Sequence, residues 1–161
     1  PTPPVFDGPE DRNGRRNHDE IRFWRDYLSG EDAGWIRDDA GERGGLRGER
    51  FVLLGDLNSS PVEGDSRRTA ISALLEHPAV NGSAVPTSTG GAAARPGNPH
   101  AAAHTAAWGQ RADYVLPSRA GWSVAGGGVF WPAPGEPDAA LVADRAASSD
   151  HRLVWLDLRL E

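Results

Sequence analysis

Apolar residues in this chain are gathered into short, widely spaced runs, and each run predicts one element. Ile21, Trp24 and Leu28 recur at helical spacing. With Asn17 as N-cap, Asp19 and Glu20 in the first turn and Gly30 as a stop, they predict a helix over residues 17–28. Phe51-Val52-Leu53-Leu54 is an unbroken run closed by Gly55 and polar residues, which predicts a buried strand ending in a loop. Ala70, Ile71, Leu74 and Leu75 mark a second helix over 66–77, capped by Ser66 and ended by Pro78. Residues 112–117 predict a short strand stopped by proline. Residues 122–131 predict an irregular strand interrupted by three successive glycines, and residues 152–158 a last strand with one buried face. One helical turn is expected near Ala139 to Val142.

The stretches between these runs read as turn and loop. Pro1, Pro3 and Pro4 hold the start extended, and Asp7-Gly8-Pro9 is turn chemistry. Asp11, Arg12, Asn13, Arg15 and Arg16 form a charged cluster. It reads either as a solvated loop or as a substrate loop in which Arg12 and Asn13 meet phosphate. Residues 37–50 read as a charged, Gly-rich surface loop. Residues 81–107 are mostly small or polar, which predicts a mobile, loosely packed loop. His100 and His104 lie in it at helical spacing and read as isolated surface residues or as a metal pair.

Composition narrows the classes. The chain has 161 residues, suited to one domain, and an apolar fraction of 38%. Gly and Pro together supply 33 residues (20 and 13), so loops dominate. Cysteine is absent, which excludes disulfides, thiolate metal sites and a cysteine nucleophile. No apolar run is long enough to span a membrane and no signal peptide is visible. The residues assign no compartment, and export of a parent protein stays open. The net charge is −6 and every cationic side chain is arginine. Nucleic acid is disfavoured as a partner by that charge, whereas arginine suits a phosphate ester.

The polar residues at the strand ends carry the candidate chemistry. In Gly55-Asp56-Leu57-Asn58, strand alternation sends Asp56 and Asn58 one way and Leu57 back to the core. A carboxylate there can take a proton from water or bind a hard cation, and a carboxamide can donate to an oxyanion. The plainer reading is a polar turn that ties down loop amides. Asp113 opens the 112–117 strand, and Asp150-His151 precedes the last one. Their plainer readings are a sheet-edge carboxylate and a strand cap.

Gly-Asp-Leu-Asn (55–58), Asp-Tyr-Val-Leu-Pro-Ser (113–118) and Ser-Asp-His-Arg-Leu-Val (149–154), in this order, resemble the endonuclease/exonuclease/phosphatase superfamily of deoxyribonuclease-like metal phosphoesterases. The opening residues 1–20 are similar to a bacterial branch of it. The resemblance implies an α+β fold, part of a two-sheet sandwich with flanking helices. It implies hydrolysis of a phosphate ester by in-line attack of water, with Mg²⁺ or Mn²⁺ as cofactor. Asp56 would orient or deprotonate the water and touch the metal. Asn58 and His151 would bind the phosphoryl group, Asp113 would hold the His151 ring and favour its charged form, and Asp150 would be a metal ligand.

The chain departs from the family pattern at its start. The strand bearing an Asn, the strand bearing a metal-binding Glu and the His or Tyr expected before Pro1 are absent, and Glu10 and Glu20 stand in the wrong context to replace the Glu. Residues 1–161 are therefore expected to be one partial domain, its C-terminal portion. The missing N-terminal half or a second chain would cover the exposed sheet. The alternative is a catalytically incomplete fragment that serves as a binding or structural module. The three apolar strands at 51–54, 114–116 and 153–158 are expected to be neighbours in one sheet, with their acids at one edge.

Overall fold

Ile21, Leu57, Ala70, Ile71, Leu74, Val80, Tyr114 and Leu116 pack into the core of the computed structural model, which describes residues 1–161. Two helices, α1 (Arg12–Leu28) and α2 (Arg68–Leu75), lie against one face of an antiparallel pair of β1 (Val52–Asp56) and β2 (Asp113–Pro117). The helices contribute the faces that their apolar spacing marks, and β2 turns Tyr114 and Leu116 inward. Leu57 points back to this core, as expected. β1 is less buried than its apolar run suggests. Leu54 is 67% exposed because it faces away from the helices, where nothing covers the sheet.

The fold is mixed helix and strand, as expected, with two antiparallel sheets of two strands each. The second sheet pairs β3 (Trp122–Val129) with β4 (Val154–Leu160), in register from Trp122 opposite Leu160 to Val129 opposite Val154. This corrects the expectation that the last strand joins β1 and β2. The physical reason lies in the glycines. An added side chain at Gly128 would meet the Trp155 ring at 2.5 Å, so the bare backbone of β3 makes the space that β4 fills. A register shift between Val124 and Gly126 accounts for the broken alternation.

Helix α1 starts five residues earlier than expected, and Asn17 is inside it rather than capping it. Its fully buried amide donates to the carbonyls of Thr2 and Leu57, both at 2.9 Å, and so ties the N-terminal strap to the strand end. Glu20 does similar work, accepting from the Thr2 amide at 2.5 Å and the Thr2 hydroxyl at 3.0 Å. Ser66 does not cap α2. Its hydroxyl lies 2.7 Å from that of Ser59. The expected turn at Ala139–Val142 is present as a 3₁₀ helix.

Within residues 81–107, expected to form a loosely packed loop, Gly90, Gly91, Ala101 and residues 104–106 are buried, while residues 92–97 are exposed. The segment contains α3 (Thr89–Ala94), capped by the Ser88 hydroxyl, and a 3₁₀ turn at Ala101–Ala103. His100 is exposed, but His104 is buried, with Nε2 donating to Glu63 Oε2 at 2.8 Å. Asn98 donates to the other Glu63 oxygen at 2.7 Å. Neither the isolated surface histidine nor the histidine metal pair describes His104.

Candidate active site

Backbone pairing sets the first relationship of the site. Asp56 ends β1 and Asp113 begins β2, and the two stand opposite each other in the register. Like charges across a strand pair repel. Burial raises the Asp56 carboxyl above the usual aspartate value, and the Asp113 charge adds to the rise, while the Asn58 amide works against both. The Asn58 backbone N–H donates to Asp56 Oδ1 at 2.7 Å, and its side-chain amide donates to Asp56 Oδ2 at 2.6 Å. Asn58 adopts a left-handed φ of 48°, which folds its side chain back beside the carboxylate. The turn-holding role is thus present in the geometry, and both side chains also line a cavity of about 610 Å³.

His151 arrives from the other end of the chain. The turn at residues 105–107 grips its flanks. Ala107 N–H donates to the Asp150 carbonyl at 2.8 Å, and Arg152 N–H donates to the Thr105 carbonyl at 2.7 Å. The ring then places Nδ1 at 3.0 and 3.1 Å from the two Asp113 oxygens. A carboxylate can only accept, so Nδ1 carries the proton and Nε2 is left for the cavity. The three strand ends converge although their strands belong to two sheets.

Thr105 is a site residue that sequence reading missed. Its buried hydroxyl accepts the backbone N–H groups of Ala112 and Asp113, each at 3.0 Å, and donates to Asp113 Oδ2 at 2.7 Å. Both acceptor positions are filled by amides, so the single proton is directed at the carboxylate. Its position in a run of small residues concealed it.

Three other candidates sit differently. Asp150 lines the cavity, where its carboxylate meets Arg145 at 3.2 Å. Arg12 and Asn13 do not line it. Arg12 is paired with Glu10 at 2.9 Å. Asn13 donates its backbone N–H to Asp7 Oδ2 at 2.5 Å and its side-chain amide to the Val5 carbonyl at 2.7 Å.

One ligand atom each from Asp56, Asp113 and His151 lies within 4.8 Å of the others. The carboxylate oxygens suit a hard divalent ion, whereas the His151 nitrogen beside Asp113 already carries a proton. The cavity wall carries three carboxylates, Asp56, Asp65 and Asp150, against one guanidinium, Arg145. Such a wall repels an anionic ester until a cation or protons offset it.

No curated protein and no solved structure matches the chain. A family model described as "Endonuclease/Exonuclease/phosphatase family" matches residues 3–151, a span that ends on the histidine of the site.

Proposed function

The chain belongs to the endonuclease/exonuclease/phosphatase family, and from that premise we propose that it supplies the water-activating and phosphoryl-binding residues of a metal-dependent phosphoesterase. Hydrolysis of phosphoesters with a divalent metal is the general activity of the family. The two small sheets are read as part of its two-sheet sandwich. The observation that carries the proposal is the hydrogen bond of His151 Nδ1 to Asp113, which leaves Nε2 as the ring nitrogen not held by the carboxylate in a residue that lines the cavity with Asp56 and Asn58.

In this reading His151 Nε2–H donates to a phosphoryl oxygen, and the Asn58 amide, which gives its two N–H groups to Asp56 Oδ2 and the Pro1 carbonyl in the structure, exchanges the Pro1 carbonyl for a second. Asp56, whose carboxyl is already shifted toward holding a proton, accepts one from the attacking water. The water oxygen bonds to phosphorus in line with the ester oxygen, whose bond breaks and which leaves as the alcohol after taking a proton. Asp113 and Thr105 keep the imidazole from rotating out of place. The cofactor, Mg²⁺ or Mn²⁺, would be held by Asp56, which is common to the Asp56–Asp150 pair on the cavity wall and to the cluster with Asp113 and His151. When bound it supplies positive charge to polarise the ester.

We read the substrate as a small phosphomonoester or phosphodiester rather than nucleic acid, since the net charge is −6 and carboxylates outnumber arginine at the cavity. We also read the exposed Leu54 and Leu160 on the strands, with Leu153 just ahead of β4, as surface for a further segment of the parent protein or a second chain.

The test is release of 4-nitrophenol from bis(4-nitrophenyl) phosphate and from 4-nitrophenyl phosphate by the chain, with Mg²⁺, with Mn²⁺ and with a chelator. Metal-dependent release that disappears in His151→Ala supports the proposal. Metal-dependent binding of either ester without release would instead favour the binding module.

A further inference from the structure

The cavity lining is of two kinds. Asp56, Asn58 and His151 are polar, and the strap Pro3 to Phe6 and Trp108 are apolar. Its volume of about 610 Å³ lies within the range of small-molecule sites, roughly 300–1,000 Å³. On the apolar wall two large rings are presented to solvent rather than packed. Phe6 is 96% exposed and Trp108 is 44% exposed.

Both rings are held there by their backbones. Phe6 has φ of 65°, a conformation that bulky residues adopt at a cost. The strap around it is fastened by Asn13, through the Val5 carbonyl and the Asp7 carboxylate. Trp108 sits in a turn closed by Gly109 N–H to the Ala106 carbonyl at 2.9 Å, and Arg95 donates to the Trp108 carbonyl. The indole meets the His151 ring edge-to-face, with centroids 4.9 Å apart and planes at 80°. An exposed indole is therefore fixed directly beside the group assigned to the phosphoryl.

We propose that Trp108 and Phe6 form a subsite for a neutral, planar aromatic group carried by the alcohol portion of the phosphate ester. The inference rests on the phosphoesterase reading above, because it takes the His151 wall as the phosphate side. Flat, rigid rings favour a planar partner through stacking, in addition to the area that they bury. The neighbouring Asp65 and Asp150 disfavour a second anionic group on the ligand. A single phosphate joined to one uncharged ring satisfies both walls.

The test is calorimetric titration of the full chain, in Mn²⁺, with phenyl phosphate and with cyclohexyl phosphate. Wild type, Trp108→Ala, Trp108→Phe and His151→Ala are compared. Wild type is expected to bind the phenyl ester about ten-fold more tightly than the cyclohexyl ester. Trp108→Ala should remove most of that preference and Trp108→Phe should retain it. His151→Ala should weaken both esters alike and keep their ratio. Equal affinities in wild type, or a ratio unchanged in Trp108→Ala, would overturn the aromatic subsite and leave the phosphoesterase reading standing. No measurable affinity for either ester would overturn both.

Discussion

Asp113 and His151 are 38 positions apart in sequence, and His151 stands ahead of β4 in an isolated bridge to Ala106, yet His151 Nδ1 lies 3.0 Å from Asp113 Oδ2. In the proposed phosphoesterase the contact would do more than stabilise, since it would leave the other ring nitrogen for the phosphoryl group. His151→Ala is expected to lower phosphoesterase turnover by about a hundred-fold or more. Asp113→Asn should lower it by a comparable factor with the circular dichroism spectrum unchanged. The double variant should be little worse than either single one, because the two residues act as a unit. Additive losses measured with bis(4-nitrophenyl) phosphate would show that they act separately.

Thr105 offers a second check on the same network. Thr105→Val keeps the shape but strands two amides and leaves Asp113 Oδ2 with His151 as its donor, at an expected cost of about 1–3 kcal/mol in stability. A positioning role adds a fall in turnover for the protein that remains folded. Thr105→Ser retains the hydroxyl and should restore that turnover. Denaturant unfolding alongside kcat separates the two effects, and a serine variant as slow as the valine variant would count against positioning.

Asp56 gives a prediction with a sign. Its carboxyl is raised, so the fold favours the protonated form. The stability that this contributes is fully present below the ordinary value of 3.8 and is lost as pH rises through the raised value. Asp56→Asn cannot titrate. Without divalent cation, its stability relative to wild type should therefore improve as pH climbs from about 4 toward neutrality, while its turnover is lost. Parallel pH profiles of melting temperature for the two proteins would contradict this.

Glu63 runs in the opposite sense. Burial alone would raise its carboxyl, but hydrogen bonds from Asn98 and His104 outweigh burial and lower it. The stability it contributes is present above the ordinary value of 4.5 and is lost as pH falls through the lowered value. Removing the buried partner by His104→Ala should cost about 1–3 kcal/mol near neutral pH. His100→Ala, at an exposed position, should stay within roughly 0.5 kcal/mol. Chemical denaturation of the two variants distinguishes the packed reading of residues 98–104 from a loose one.

Much of this was legible in the residues. Apolar runs marked α1, α2 and all four strands, because side-chain periodicity follows from local backbone geometry. The ends of those runs marked Asp56, Asp113 and His151, since polar side chains gather where a buried strand reaches solvent. Acidic charge and the absence of lysine and cysteine limited the chemistry before any fold was known.

Tertiary structure decided what depends on a distant partner. Asn17 looked like a cap and is a buried tie, because its acceptors at Thr2 and Leu57 are remote in sequence or lie on another element. β4 joins β3 rather than β2, because the glycines of β3 receive Trp155, and apolar periodicity names a face without naming a neighbour. Residues 81–107 have little apolar surface to signal order. They gain it from a serine cap, a buried histidine–carboxylate bond and the Thr105 hydroxyl, interactions that exist only once the segments have met.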